Sequence, residues 1–392
     1  MKFRCSAARL FCGSLIGITA SIAASAWCRP APSFRGVGDL PGGETSSLAV
    51  FVSADGSTVV GQSPSTFGIE AFRWTQSAGI TGLGDLPGAT FLSFATGVSD
   101  DGAVVVGASN STPGLQAFRW TQATGMVGLG DLAGGSFSSI AHGISGDGAV
   151  VVGEGTGSGG VQAIRWTQAG GMVSLGDLPG GLVQGAAFAA SVDGSVICGR
   201  SSSANGTEAF RWTQATGMIG LGDLPGGIFE SFATAITPDG GTIVGIAESS
   251  QGTEAFRWTQ EDGMIGLGDA PGGAFNSQAI GISDDGQTVL LASTGDAGEE
   301  YFLWTLADGI RSVRQLLLDA GVSDVVSWRL DGHHGSLSAD GLTMTGYGTN
   351  ASGQTEGWIA SVPEPATACV AALIGFSSIR RRLRRRERVG KI

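Results

Sequence analysis

A ruler of 46 residues restricts this chain more than any other feature. Gly-Asp dipeptides place Asp39, Asp85, Asp131, Asp177, Asp223 and Asp269 at that constant interval. Trp74, Trp120, Trp166, Trp212, Trp258 and Trp304 obey it, as do the Asp-Gly pairs beginning at Asp55, Asp101, Asp147, Asp193, Asp239 and Asp285. A fixed period of this size means units too small to bury a face alone, which become stable by packing on one another. Composition agrees: with 68 glycines, 42% apolar residues and only 14% charged ones, the chain forms a core and turns often.

Within a unit the pattern predicts four short strands. In the second unit these are Ser93 to Ser99, Ala103 to Gly107, Leu115 to Thr121 and Met126 to Leu132, with Asp100-Asp101-Gly102 as the first hairpin turn. Four strands in this length is the size of a propeller blade. Ala49, Ala95, Ala141, Ala187, Ala233 and Ala279 form a small-residue column in the first strand, expected where blades converge on an axis. Bulkier residues such as Phe72 and Trp74 on the third strand fill the wider rim. Six full units run from about Ser47 to Leu318, and a seventh, stretched by an insertion, stops after its third strand near Trp358. Its missing fourth strand is found at the other end, as Phe34 to Leu40. The expected fold is therefore all-β: a seven-bladed β-propeller closed by the N-terminal strand, which leaves no open sheet end. A β-solenoid is the alternative.

The two ends read differently from the middle. Residues 1–26 have the form of a signal peptide: Lys2, Arg4 and Arg9, an apolar stretch from Leu10, then Ala24-Ser25-Ala26 as a cleavage site. Residues 27–361 hold the repeats. In residues 362–392, Pro363-Glu364-Pro365 precedes an apolar run from Ala366 to Ile379 and then a tail with seven arginines and Lys391. As a helix that run would reach about 21 Å, short of the ~30 Å hydrocarbon core. The arginines would stay cytoplasmic, leaving the repeats on the outer side. This order of elements resembles the PEP-CTERM sorting signal, which implies an exosortase-type protease as partner, transient membrane contact through the C-terminal segment, and Pro363, Glu364 and Pro365 as the sorting residues. An ordinary C-terminal membrane anchor is the alternative.

Without those ends the body keeps 11 arginines and no lysine against 32 acids, a net charge near −21. That balance argues against nucleic acid as a partner. Of five cysteines only Cys28 and Cys198 fall in the body. Cys198 stands where other units have Val or Ile, which predicts a buried free thiol and no disulfide framework.

The units, in the form AFRWTQATGMIGLGDLPGG (Ala209 to Gly227), resemble the extracellular HAF repeat family over about 320 residues. The resemblance implies an exported, cell-surface or matrix setting and carries no activity onto particular residues. GDLPGG departs from that family's usual wording, and the last unit departs most.

Groups that recur once per unit are expected to hold the unit together, whereas a site needs unlike groups converging once. Arg73, Arg119, Arg165, Arg211 and Arg257 stand twelve residues before Asp85, Asp131, Asp177, Asp223 and Asp269, and are expected to form structural Arg–Asp pairs. The repeated tryptophans are likewise assigned to structure. The Asp-Gly turns lack the ligand spacing of a calcium loop. Of three histidines, His142 reads as a packing variant, while His333 and His334 fall near the hub and would need further ligands to hold a metal. Glu154, Glu230, Asp296, Glu299 and Asp331 do not repeat, and a propeller glycoside hydrolase or lyase would draw its two carboxylates from them. Nothing in their spacing selects a pair. The expectation is a non-catalytic binding or structural module without a cofactor, contacting exopolysaccharide or other surface proteins through its polar, variable loops, such as Ser63 to Glu70 and Ser201 to Glu208.

Overall fold

The computed structural model describes residues 31–363 except 297 and 332, so the leader expected at 1–26 and the apolar run and basic tail lie outside the described residues. Among the described residues the strands form seven four-stranded antiparallel units, four of which are joined by single parallel pairings into one 16-stranded sheet. The second sheet is representative: Ser93–Val98, Val104–Ser111, Gly114–Thr121 and Gly125–Gly128, in sequence order from inner to outer edge. Its first turn is a four-residue bend in which Gly102, at φ +67°, donates its N–H to the Ser99 carbonyl. Glycine is the residue that takes up that left-handed conformation without strain.

Each of these turns is held in the same way. Ser99 Oγ donates to Asp101 at 2.6 Å and accepts the Val104 N–H at 3.0 Å, while Asp101 also accepts the Ala103 N–H. Ser53–Asp55, Ser145–Asp147, Ser191–Asp193, Thr237–Asp239, Ser283–Asp285 and Ser338–Asp340 repeat the hydroxyl-to-carboxylate bond. These bonds favour the carboxylate over the acid, so Asp101 titrates below its ordinary value and Asp193 is held at about 2.

Ring closure is visible in the pairing. The seventh sheet takes Ser336–Leu337, Thr343–Thr349 and Thr355–Ser361 from the C-terminal end and Ser33–Gly36 from the N-terminal end, with Ser33 opposite Ser361 and Gly36 opposite Trp358. Seven apolar clusters lie between neighbouring sheets. One joins Val37, Leu40 and Ile359 of the seventh to Ala49, Phe72 and Trp74 of the first, and another joins Leu290 and Leu303 of the sixth to Met344 and Trp358 of the seventh. Every sheet therefore has two packed neighbours, which makes the array a closed seven-bladed β-propeller rather than a solenoid. The borrowed strand is shorter than expected. It ends at Gly36 because Gly38, at φ +77°, turns the chain, and Leu40 leaves the sheet plane to be buried against blade one.

One expectation is refined and one needs correction. The small Ala column lies on the inner strands where blades converge, as expected, packed chiefly between blades. Side chains along a strand alternate, so Ala95, Ala141 and Ala187 are buried toward the adjacent blade, where Thr96 Oγ1 reaches the Ala141 carbonyl at 2.6 Å. Their larger neighbours Phe94, His142 and Phe188 take the channel side. The insertion before blade seven, read without helix, folds as a helix at Val313–Asp319 and a 3-10 turn at Ser323–Ser327. Ser312 caps that helix, Val313 and Leu317 are buried, and Arg314 ties the segment down by bonding Glu300 and the carbonyls of Val325 and Trp328.

Strand direction fixes which end carries what. Asp-Gly turns and third-to-fourth strand hairpins lie at one end of the ring, here the turn face. The variable loops between second and third strands lie at the other, the loop face.

Candidate functional site: the loop-face half of the central channel

The repeat is nearly constant where blades pack and diverges where it faces the axis. On the third strands, Ala71, Ala117, Ala163, Ala209 and Ala255 are all fully buried, and so are Phe72, Phe118, Phe210 and Phe256. On the inner strands the channel-facing column reads Val50, Thr96, His142, Phe188, Thr234 and Ile280. Beside it on the second strands a column reads Gln62, Ala108, Glu154, Arg200, Ile246 and Ala292. The first column, with Gln62, Arg200 and Ile246 of the second, borders a cavity of about 810 Å³.

Unlike groups meet there in a continuous arc across three blades. Glu154 and His142 of blade three approach with Oε2 3.5 Å from Nε2. The imidazole lies 5.1 Å from the Phe188 ring of blade four. Arg200 of blade four lies over that ring at 5.7 Å and over Phe232 of blade five at 5.2 Å. His142 at its side, with Arg200 nearby, lowers the Glu154 titration against the opposing effect of burial. Across the channel, His333 Nε2 lies 2.8 Å from Glu299 Oε2, and the His334 carbonyl accepts the Tyr301 hydroxyl at 2.7 Å. Burial, with His333 beside it, lowers the His334 titration. His142 is thus part of this arc and not only a packing variant. Among the described residues no third carboxylate, imidazole or thiol joins either His–Glu pair to make a metal-holding group.

The expected Arg–Asp pairs are not formed. Arg73 is opposite Thr81 on the fourth strand, whereas Asp85 lies about four residues farther along, some ~13 Å at strand rise. Arg73 instead donates to Thr58 Oγ1 and to the Gly102 carbonyl of the next blade, both at 3.1 Å, and Arg211 reaches the equivalent Gly240 carbonyl. The aspartates bind the next blade on the loop face. Asp85 accepts from Ser109 Oγ, Asp131 from the N–H groups of Ser138 and Thr156, Asp223 from that of Glu230, and Asp269 from that of Asn276. Both groups staple blades, but to different partners at opposite faces. Each tryptophan packs in the cluster shared with the preceding blade, as Trp120 does beside Val60 and Leu83 and Trp212 beside Val152.

The other non-repeated acids do not gather. Asp331 is bonded by Arg329, Glu230 lies in the strand Gly226–Ile236 of blade five, and Asp296 lies in the loop after Thr288–Gly295 of blade six. Cys198 is fully buried and free, and burial pushes its thiol up to about 12.

No family model matches the sequence, and no curated protein does. Solved structures are similar to it in fold. The hydrazine synthase of Kuenenia stuttgartiensis matches over 84% of this chain and 97% of its own, at TM-score 0.50 and 15% identity. The oligogalacturonate lyase of Vibrio parahaemolyticus matches over 86% and 98%, at TM-score 0.50 and 10% identity. TolB of Acinetobacter baumannii matches over 66% of this chain, at TM-score 0.47 and 11% identity. The match spans 63% of that TolB, less than two thirds of its length. The likeness to the first two is one of fold alone.

Proposed function

We propose that this protein is an exported propeller of the cell surface or extracellular matrix that binds without catalysis, holding exopolysaccharide or another surface protein at the loop-face mouth of its channel. One observation carries the reading. A repeat that keeps its packing residues in register changes residue type in the columns around the channel, where a cavity of about 810 Å³ is large enough for a small ligand. The HAF-like units and the Pro363-Glu364-Pro365 segment with its apolar and basic sequel support the exported setting, with an exosortase-type protease acting on the C-terminal segment. That segment lies outside the described residues, and no helix among the described residues is long and apolar enough to cross a membrane.

A hydrolase or lyase is the second reading. It rests on Glu154 and Glu299, each beside an imidazole at the channel. The test passes full-length protein over immobilised matrix polysaccharide beside an unrelated propeller of similar charge. Selective retention is expected, with no shortening of the polysaccharide. Elution with the control would defeat the binding reading, and chain shortening would favour the second.

A further inference from the structure

We infer that Arg200 anchors an anion subsite in the channel, built for a single carboxylate carried on a small polar ring, as in a uronic-acid sugar. This deepens the proposed polysaccharide reading and rests on it. The residues at its position in the repeat are Gln62, Ala108, Glu154, Ile246 and Ala292, so a cation occurs there once. It is also the one Arg or Lys among the described residues lining the channel.

Arg200 shares its lack of protein acceptors with Arg35, Arg119 and Arg165, but of these it alone lines the channel. Arg73, Arg211 and Arg314 donate to turn carbonyls, hydroxyls or Glu300, and Arg329 donates to Asp331. Among the described residues Arg200 donates no hydrogen bond, and no carboxylate lies within ion-pair distance of it. The rings of Phe188 and Phe232 hold its guanidinium in place, yet they leave its N–H groups without acceptors. A half-buried guanidinium with five donors and no acceptor is incomplete without water or a ligand. Its planar fork matches a carboxylate in bidentate fashion.

The surroundings narrow the ligand further. Glu154, whose titration Arg200 helps to lower, is a nearby negative charge that a dianion would meet at close range. The strongly acidic body opposes the approach of a densely charged polyanion. One carboxylate is therefore favoured over phosphate or over a fully acidic polymer. Gln62 and Gln278 offer neutral amides for hydroxyls, and Phe94, Phe232 and Ile246 offer apolar wall.

Calorimetric titration of the full-length protein tests this with four probes. They are an aldobiouronic acid (one uronate joined to one neutral sugar), its methyl ester, the neutral disaccharide of the same linkage, and inorganic phosphate. The acid is expected to bind about 10- to 100-fold tighter than its ester, the range for a charge-assisted pair at a partly dry site. Arg200→Gln should erase that preference, and Arg200→Lys should keep part of it. Unchanged thermal melts of both variants would show that the blade is intact. Equal binding of acid, ester and neutral sugar, unaffected by Arg200→Gln, would overturn the subsite and leave the polysaccharide reading standing. Tighter binding of phosphate than of the acid would overturn the carboxylate assignment. Binding of no sugar, together with no retention on the polysaccharide column, would remove both.

Discussion

Replacing Ser33 and Ser361 together by cysteine should produce a disulfide within one chain, because these residues are direct partners across the strand pair that seals the ring. Partners in an antiparallel pair have Cα atoms about 4.5 to 5.5 Å apart, inside the span that a disulfide accepts. The bond would close a loop of roughly 330 residues, and restricting the unfolded chain by that much is worth up to about 6 kcal/mol. At an unfolding entropy of about 2.1 cal/mol/K per residue, this corresponds to a Tm rise of at most about 8 °C. The assay is mild oxidation, peptide mapping by mass spectrometry, and thermal melts with and without reductant. A control joining Ser33→Cys to Ser174→Cys, at the edge of blade three, should stay reduced. Thiols that remain free at positions 33 and 361, or that link only between chains, would refute circular closure, since an open stack holds its first and last strands apart.

Three other outcomes follow from single residues. Ser99→Ala removes a donor to Asp101 and the acceptor of the Val104 N–H, so urea unfolding should show a loss of about 1 to 3 kcal/mol, and Ser145→Ala should match it. Cys198 should resist a maleimide at pH 8 in the native state and react once denaturant is added, whereas rapid native labelling would contradict its burial. His334 should titrate below its ordinary 6.5 by NMR. A group with a lowered folded pKa contributes stability that is present above its unfolded value and is lost as pH falls through the folded one. His334→Gln should accordingly lose less stability than the native chain between pH 7.5 and 5, and an equal loss would contradict the assignment.

Much of the fold was legible because its physics repeats. The 46-residue interval, the strand alternation and the truncated last unit were enough to anticipate four-stranded blades and a ring sealed by both termini. The helix at Val313–Asp319 escaped because it occurs once, inside an insertion, and is held by Arg314 contacts that no repeat announces. The Arg–Asp error came from counting sequence distance without register: twelve residues across a hairpin is not a facing pair when the turn lies closer to one of them. The serines at the start of the inner strands were also missed. Ser93 accepts the Ala71 N–H and donates to the Gly84 carbonyl, and Ser139, Ser231 and Ser277 do the same, so one buried hydroxyl joins each such pair of blades. Their constancy along the repeat was the available signal. For the site, His142 and Glu154 share one unit and Phe188 and Arg200 the next, and it is the packing of neighbouring blades that places them side by side. The clue in the sequence was irregularity inside an otherwise regular column.

The seam of the ring also gives the molecule a polarity. Ser33 and Ser361 lie side by side on the Asp-Gly side of blade seven, so the described chain enters and leaves at one spot. Arg200 lines the channel nearer the opposite mouth, on the loop face. A particle held by either end would present that mouth outward, like a cup standing on its base, and the grip would cross no blade contact.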